Sequence, residues 1–185
     1  VLEDDGRNGA TVVLQDTVVR GTSVTQPRFA GAGVRIDPSS TLEATDCIFE
    51  ANAGPGVHTE GDAILRETGF FGNGFGGLPG GLFLQGGVHQ IRNVYLGGNN
   101  EENLRSQGAE LRGTRLQVEG LGASSGLSLE RGLTNLTHVS ISNTLGPALV
   151  SSRQDIELHA IWVRTAEEPG GAALSLSGDA TRTLL

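Results

Sequence analysis

Short stretches that alternate apolar with polar residues recur along this chain at nearly constant spacing. The clearest is Asp46-Cys47-Ile48-Phe49-Glu50-Ala51-Asn52, with relatives at 16–21, 68–73, 93–99, 115–120, 138–143 and 160–165. Its second apolar position recurs as Val19, Phe49, Phe71, Leu96, Val118, Ile141 and Val163, in steps of 30, 22, 25, 22, 23 and 22 residues. A second series, Val34, Val57, Leu82, Leu104, Leu127, Leu149 and Leu174, follows Gly or another small residue and steps by 23, 25, 22, 23, 22 and 25. A third and looser one is Leu42, Ile64, Val88, Leu111, Leu133 and Ile156. Period-2 alternation over so few residues marks half-buried strands. Gly, Asn and Pro between them mark corners, because glycine supplies positive φ and proline a preset φ.

A register held through the whole chain is the signature of a repeat architecture. No segment carries apolar residues at i, i+3, i+4 and i+7 over three turns, which excludes a helical solenoid. A β-sandwich also has short strands and turns, but does not need one constant period. The pattern therefore predicts an all-β parallel β-helix with three strands per coil and about seven to eight coils of 22–25 residues. Neighbouring coils stack at about 4.8 Å. The core is expected from the Val19/Phe49/Phe71/Leu96 stack and from Thr17/Cys47/Gly69/Val94. Asn52, Asn73, Asn99 and Asn143 are expected to hydrogen-bond from turn to turn.

The recurring G-V-x-I/L opening followed by D-C-x-F-x-x-N-x-G resembles the right-handed parallel β-helix repeat of pectate-lyase-like proteins. Val34-Arg35-Ile36 with Asp46 to Asn52 is the best-matched turn, and the resemblance runs from about Gly9 to Leu176. It implies the fold. It implies little about activity, because lyases, hydrolases, epimerases, adhesins and phage spikes share the repeat.

The organisation reads as one β-helix domain over 1–185, a piece of a longer protein, with a ragged lead-in at 1–8 and a loop insertion at 22–30 behind the 30-residue step. No capping element is visible at either end. Composition narrows the classes. The net charge is −8 and all 13 basic residues are arginine. The balance disfavours nucleic acid, which needs a basic stripe, and an anionic membrane surface. No apolar run approaches the roughly 20 residues of a membrane span. With no lysine, no lysine base or Schiff-base nucleophile is available. Cys47 is the one cysteine, so there is no disulfide framework, and its inward position suits a small hydrophobe. The charge balance fits an extracellular, cell-surface or periplasmic protein.

In a stack, outward residues of one strand type form ladders. The Val34 strand type gives Arg35, His58, Phe83, Arg105, Ser128, Val150 and Ser175. Two residues on, it gives Asp37, Glu60, Gln85, Gln107, Glu130, Ser152 and Ser177. Arg35, His58 and Arg105 are the candidate catalytic residues. Uronate chemistry needs a cation for the sugar carboxylate and a base for the C5 proton. Arginine offers bidentate geometry and histidine titrates near neutrality. Asp37, Glu60, Phe83, Gln85 and Gln107 are the candidate substrate contacts, with Phe83 as a stacking platform. A solvated polar face is the plainer reading of the same ladder. Asp37 and Glu60 also satisfy the spacing of two glycosidase carboxylates, as adjacent rungs do almost automatically.

No cofactor is expected. No zinc spacing is present, and calcium at Glu101-Glu102, Asp155/Glu157 or Glu167-Glu168 is a weaker expectation. A third ladder, Val18, Ile48, Phe70, Tyr95, Gln117, Ser140 and Trp162, begins with large apolar residues. That suggests a protein partner or self-association through Ile48, Phe70, Tyr95 or the open coil ends. The functional expectation is a non-catalytic module that binds carbohydrate or a neighbouring domain. A polysaccharide lyase or epimerase and a rigid spacer are the alternatives.

Overall fold

The computed structural model describes residues 9–23, 31–74, 79–120, 125–164, 173–177 and 182–184. The lead-in, most of the 22–30 excursion and Glu167-Glu168 lie outside these residues. Among the described residues there is no helix, and every paired strand is parallel to its neighbours. The chain is a parallel β-solenoid with three faces.

The first face holds β3 (Val34–Ile36), β6 (Val57–Thr59), β8 (Leu82–Gln85) and β10 (Glu102–Gln107). It continues through the starts of β12 (Ser125–Ser142) and β13 (Leu149–Arg164) to β14 (Leu174–Ser177). The second face runs from β1 (Thr11–Gln15) and β4 (Thr41–Thr45) through the first halves of β7 (Asp62–Phe71), β9 (Val88–Gly97) and β11 (Glu110–Glu119). The middles of β12 and β13, then β15 (Arg182–Leu184), complete it. The third face stacks β2 (Val18–Arg20), β5 (Ile48–Glu50) and the second halves of the long strands. Register pairs lead Val34 to Val57, Leu82, Leu104, Leu127 and Leu149. That path makes about five full turns, with partial turns at each end, rather than seven to eight coils.

The core is a set of vertical columns. Val34, Val57, Leu82, Leu104, Leu127 and Leu149 form one and are at most 2% exposed. Phe49 lies on Phe70 with ring centroids 5.0 Å apart and an interplanar angle of 10°. Each such side chain contributes about 1.5–3 kcal/mol when fully buried. Cys47 belongs to this core at 1% exposure, with its thiol donating to the Thr45 carbonyl at 3.2 Å.

At the corner between the second and third faces, Asp16, Asp46, Glu67, Asn93, Arg115, His138 and Ala160 all adopt positive φ between 48° and 58°. Asn and Asp tolerate this region best, and other side chains are held there by surrounding structure. The turn-to-turn backbone bonds Asp16 N–H to Thr45 O and Asp46 N–H to Arg66 O supply some of that support.

The expected register slips by one residue in four places. Phe70 is fully buried and pairs with Phe49 and Leu96, while Phe71 points out at 38% exposure. Gly69 takes the outward place expected for Phe70, and Thr68 the inward place expected for Gly69. On the second face the buried column is Leu42, Ala63, His89, Leu111, Thr134 and Ile156, so Ile64, Val88 and Leu133 face outward. In each case two residues side by side could both have gone in, and a slip of one reverses the face. Inward Thr68 is accommodated because its hydroxyl donates to the Arg66 carbonyl at 2.8 Å. Outward Gly69 leaves a slot for Phe71, whose ring lies where a Cβ would meet it at 2.4 Å.

The asparagine column forms as expected from Asn52 to Asn99. Asn52 Nδ2 donates to Asn73 Oδ1 at 2.9 Å, Asn73 Nδ2 to Asn99 Oδ1 at 3.0 Å, and Asn99 Nδ2 to Asn103 Oδ1 at 2.9 Å. The same amides cap the Val19, Phe49 and Phe70 carbonyls. Asn143 is not a member. It is itself the positive-φ corner residue, and its amide reaches Glu119 Oε1 at 3.2 Å. The buried residue after it is Thr144.

Candidate functional site: a paired ladder on the first face

The first-face strands are short, and alternation puts their middle residues outward. Register pairs place Arg35, His58, Phe83, Arg105, Ser128, Val150 and Ser175 in one column. Gln85, Gln107, Glu130, Ser152 and Ser177 form the next column, with Asp37 and Glu60 just beyond the ends of β3 and β6. All eight candidate site residues therefore share one face.

Proximity is used for mutual pairing. Arg35 Nη2 donates to Glu60 Oε1 at 3.2 Å and lies 3.7 Å from Asp37 Oδ1. Arg105 Nη2 donates to Glu130 Oε1 at 3.2 Å, and its Nη1 lies 3.7 Å from Glu102 Oε2. Two arginines thus face four carboxylates, which gives this face a net negative character. Glu102 is the member that sequence patterning missed. The signal available was its place three residues before Arg105 on β10. Burial raises the Glu102 carboxyl above its ordinary pKa, against the opposing pull of Arg105.

A chain of amides runs from the Arg105 cluster to His58. Gln107 Nε2 donates to Glu130 Oε2 at 3.4 Å, Gln85 Nε2 to Gln107 Oε1 at 3.3 Å, and His58 Nε2 meets Gln85 Oε1 at 2.7 Å. The carboxylate end can only accept, so it sets the direction of the whole chain. Gln107 must present its NH2 to Glu130, Gln85 its NH2 to Gln107, and His58 its Nε2–H to Gln85. The network assigns His58 the Nε2–H tautomer, with Nδ1 as its acceptor nitrogen. Burial lowers the His58 pKa, and Arg35 pushes the same way. The Gln85 bond and the Glu60 and Asp37 charges oppose this. The ring is neutral at pH 7.

Phe83 does not offer the expected sugar platform. His58 stacks on one of its faces with centroids 4.7 Å apart and a 14° interplanar angle. The Arg105 guanidinium carbon sits 5.8 Å from the ring centroid. With both neighbouring rungs stacked against it, Phe83 presents its edge to solvent.

The remaining candidates fall elsewhere. Phe70 is buried, whereas Ile48, Phe71 and Tyr95 are outward on the third face. Phe71 and Tyr95 stack with centroids 5.2 Å apart. The Tyr95 hydroxyl donates to Glu119 Oε2 at 2.5 Å, and partial burial together with that carboxylate pushes its pKa up to about 12. Among the described residues no group of three or more His, Cys, Asp or Glu is placed to hold a metal ion. Among them, too, no helix is long and apolar enough to cross a membrane. Compared with known proteins, the chain finds no matching family model, curated protein or solved structure.

Proposed function

We propose that this chain is a non-catalytic β-solenoid module of an extracellular or cell-surface protein, and that its first face binds uncharged carbohydrate. The observation that carries the reading is the row Asp37, Glu60, Gln85, Gln107 and Glu130. Planar amides and carboxylates, with Gln85, Gln107 and Glu130 bonded to one another and Asp37 and Glu60 held by Arg35, keep further lone pairs and N–H groups for sugar hydroxyls. Pre-ordering lowers the entropy lost on binding. The negative character of the face favours a neutral ligand over a uronate.

The pectate-lyase-like resemblance keeps a second reading alive, a lyase or epimerase. It is favoured by neutral His58 with an acceptor nitrogen, as a base requires. Against it stand Arg35 and Arg105, both engaged by carboxylates where a substrate carboxylate needs a cation. A neutral-glycan panel probed with the full chain tests the first reading. Retention should fall on Gln85→Ala and Gln107→Ala. Silence across the panel leaves a rigid spacer or a protein-docking face. Incubation with pectin, alginate and glycosaminoglycans, watched for unsaturated product in the ultraviolet, tests the second. Product that disappears in His58→Ala would overturn the non-catalytic reading.

A further inference from the structure

The second face carries an unexpected electrostatic feature. Its outward positions form three columns, which from β4 to β11 read Thr41, Asp62, Val88, Glu110; Glu43, Ile64, Gln90, Arg112; and Thr45, Arg66, Arg92, Thr114. Arg66 and Arg92 are direct register partners on β7 and β9, and Arg112 lies on the next rung, diagonal to Arg92. These three arginines line a shallow groove of about 440 Å³ with Ile64, Gln90 and Thr114. No carboxylate lines it, in a chain whose net charge is −8.

The acids of this region are turned to other work. Glu110 pairs with Arg112 at 2.5 Å, Asp62 Oδ1 accepts the Val88 N–H at 2.8 Å, and Glu67 at the corner accepts from the Asn93 amide. Glu43 and Glu157 belong to the middle column, Glu43 one rung before Ile64 and diagonal to Arg66, and neither lines the groove. All three arginines are solvent-exposed. Among the described residues no carboxylate forms a salt bridge with Arg66 or Arg92. Like charges on adjacent rungs repel, and nothing in the packing of the face requires them. An arrangement that costs stability without a structural return points to a ligand.

We propose that this groove binds an acidic polysaccharide, with Arg66 and Arg92 taking successive carboxylate or sulfate groups of a glycan strand that runs along the solenoid axis. Arginine's planar fork suits both oxyanions, and Gln90 and Thr114 are placed for intervening hydroxyls. The rungs repeat at about 4.8 Å. Nucleic acid is less well matched, because a duplex carries one charge per about 1.7 Å of axis, or one per about 3.4 Å along each of its strands. No aromatic residue lines the groove for base stacking. The proposal uses different residues from the first-face reading and stands or falls without it.

The test is affinity electrophoresis and calorimetry of the full chain against heparin, polygalacturonate, dextran and a single-stranded oligonucleotide, at low and moderate salt. Heparin or polygalacturonate should bind in a salt-sensitive way, and whichever is tighter identifies sulfate or carboxylate as the preferred group. Dextran should not compete. The Arg66→Ala/Arg92→Ala double variant, with its circular dichroism unchanged, should weaken binding about tenfold, the combined worth of two exposed charge pairs. Arg20→Ala, on the third face, should not. Failure of both acidic glycans to bind, oligonucleotide binding as tight as either, or equal losses in Arg20→Ala and the double variant would each overturn the proposal.

Discussion

The first and second faces are built from the same rungs, yet they treat charge in opposite ways. On the first, Arg35 and Arg105 are each flanked by two carboxylates, and a line of amides runs from the Arg105 cluster to His58. On the second, Arg66 stands directly beside Arg92 with no carboxylate in the groove. A parallel stack puts equivalent positions side by side, so a ladder is either alternated and self-satisfied or repeated and repulsive. The first kind spends its groups on itself. The second keeps them for something outside.

The strongest disturbance of this contrast removes support common to both faces. Phe70 reaches the start of the first-face strand that carries His58, as its ring lies 2.7 Å from where a Gly56 Cβ would stand. Phe70→Ala should cost about 3–5 kcal/mol in denaturant unfolding. Phe71→Ala, at a half-exposed position, should cost under about 1 kcal/mol. Equal costs would reverse the register assigned to β7.

Next comes the asparagine column. Asn73→Ala removes a buried amide that accepts from Asn52 and donates to Asn99 and the Phe49 carbonyl. It leaves several buried groups unpaired, each worth about 1–3 kcal/mol. A loss of about 2–4 kcal/mol is expected, and Asn143→Ala at the exposed corner should lose under about 1 kcal/mol.

Acid bears on the first face and the core. Burial lowers the pKa of His58 on the first face and of His89 in the core, the latter against its Gly86 bond and the nearby Asp62 charge. The unfolded chain therefore binds protons more readily than the folded one. Stability should fall as pH drops below about 6.5, the ordinary histidine pKa, and level off below the folded-state values. Thermal melts of the wild type and of His89→Gln across pH 7 to 5 check this, and the variant should lose part of the slope.

The smallest effects bear on the contrast most directly. Glu130→Gln weakens the Arg105 pairing and should destabilise by about 0.5–1 kcal/mol. Arg92→Gln relieves repulsion and should leave stability unchanged or raise it by up to about 0.5 kcal/mol. A clear loss in Arg92→Gln would mean that the second-face arginines are structural after all.

The sequence was informative wherever only one of two neighbours could be buried. Val34, Val57, Leu82 and Leu104 have polar or outward-tolerant neighbours, and the whole first-face ladder was legible from them. Phe70-Phe71, Ala63-Ile64, Val88-His89 and Leu133-Thr134 were ambiguous. The inward choice there rested on Gly69 making room for Phe71, or on a buried polar group finding a partner, as Thr134 does with Gln154 at 2.8 Å. Pairing within a ladder was not legible either, because spacing places Arg35 near Glu60 without saying whether the two meet. The cationic groove was missed although its column is simple to state. It is the residue before each positive-φ corner: Gln15, Thr45, Arg66, Arg92, Thr114, Thr137 and His159.

The asparagine column has a consequence for how the turns hold together. In a stack, each rung touches only the rungs beside it, so stability is a sum of units and the couplings between them. From the Val19 carbonyl to Asn103, a continuous line of buried amides strengthens every coupling. It stops there, and the buried hydroxyl of Thr144 has no hydrogen-bond partner. The turns before β12 are thus coupled by side-chain amides as well as by strand pairing, whereas β12 and β13 are coupled by the long register they share.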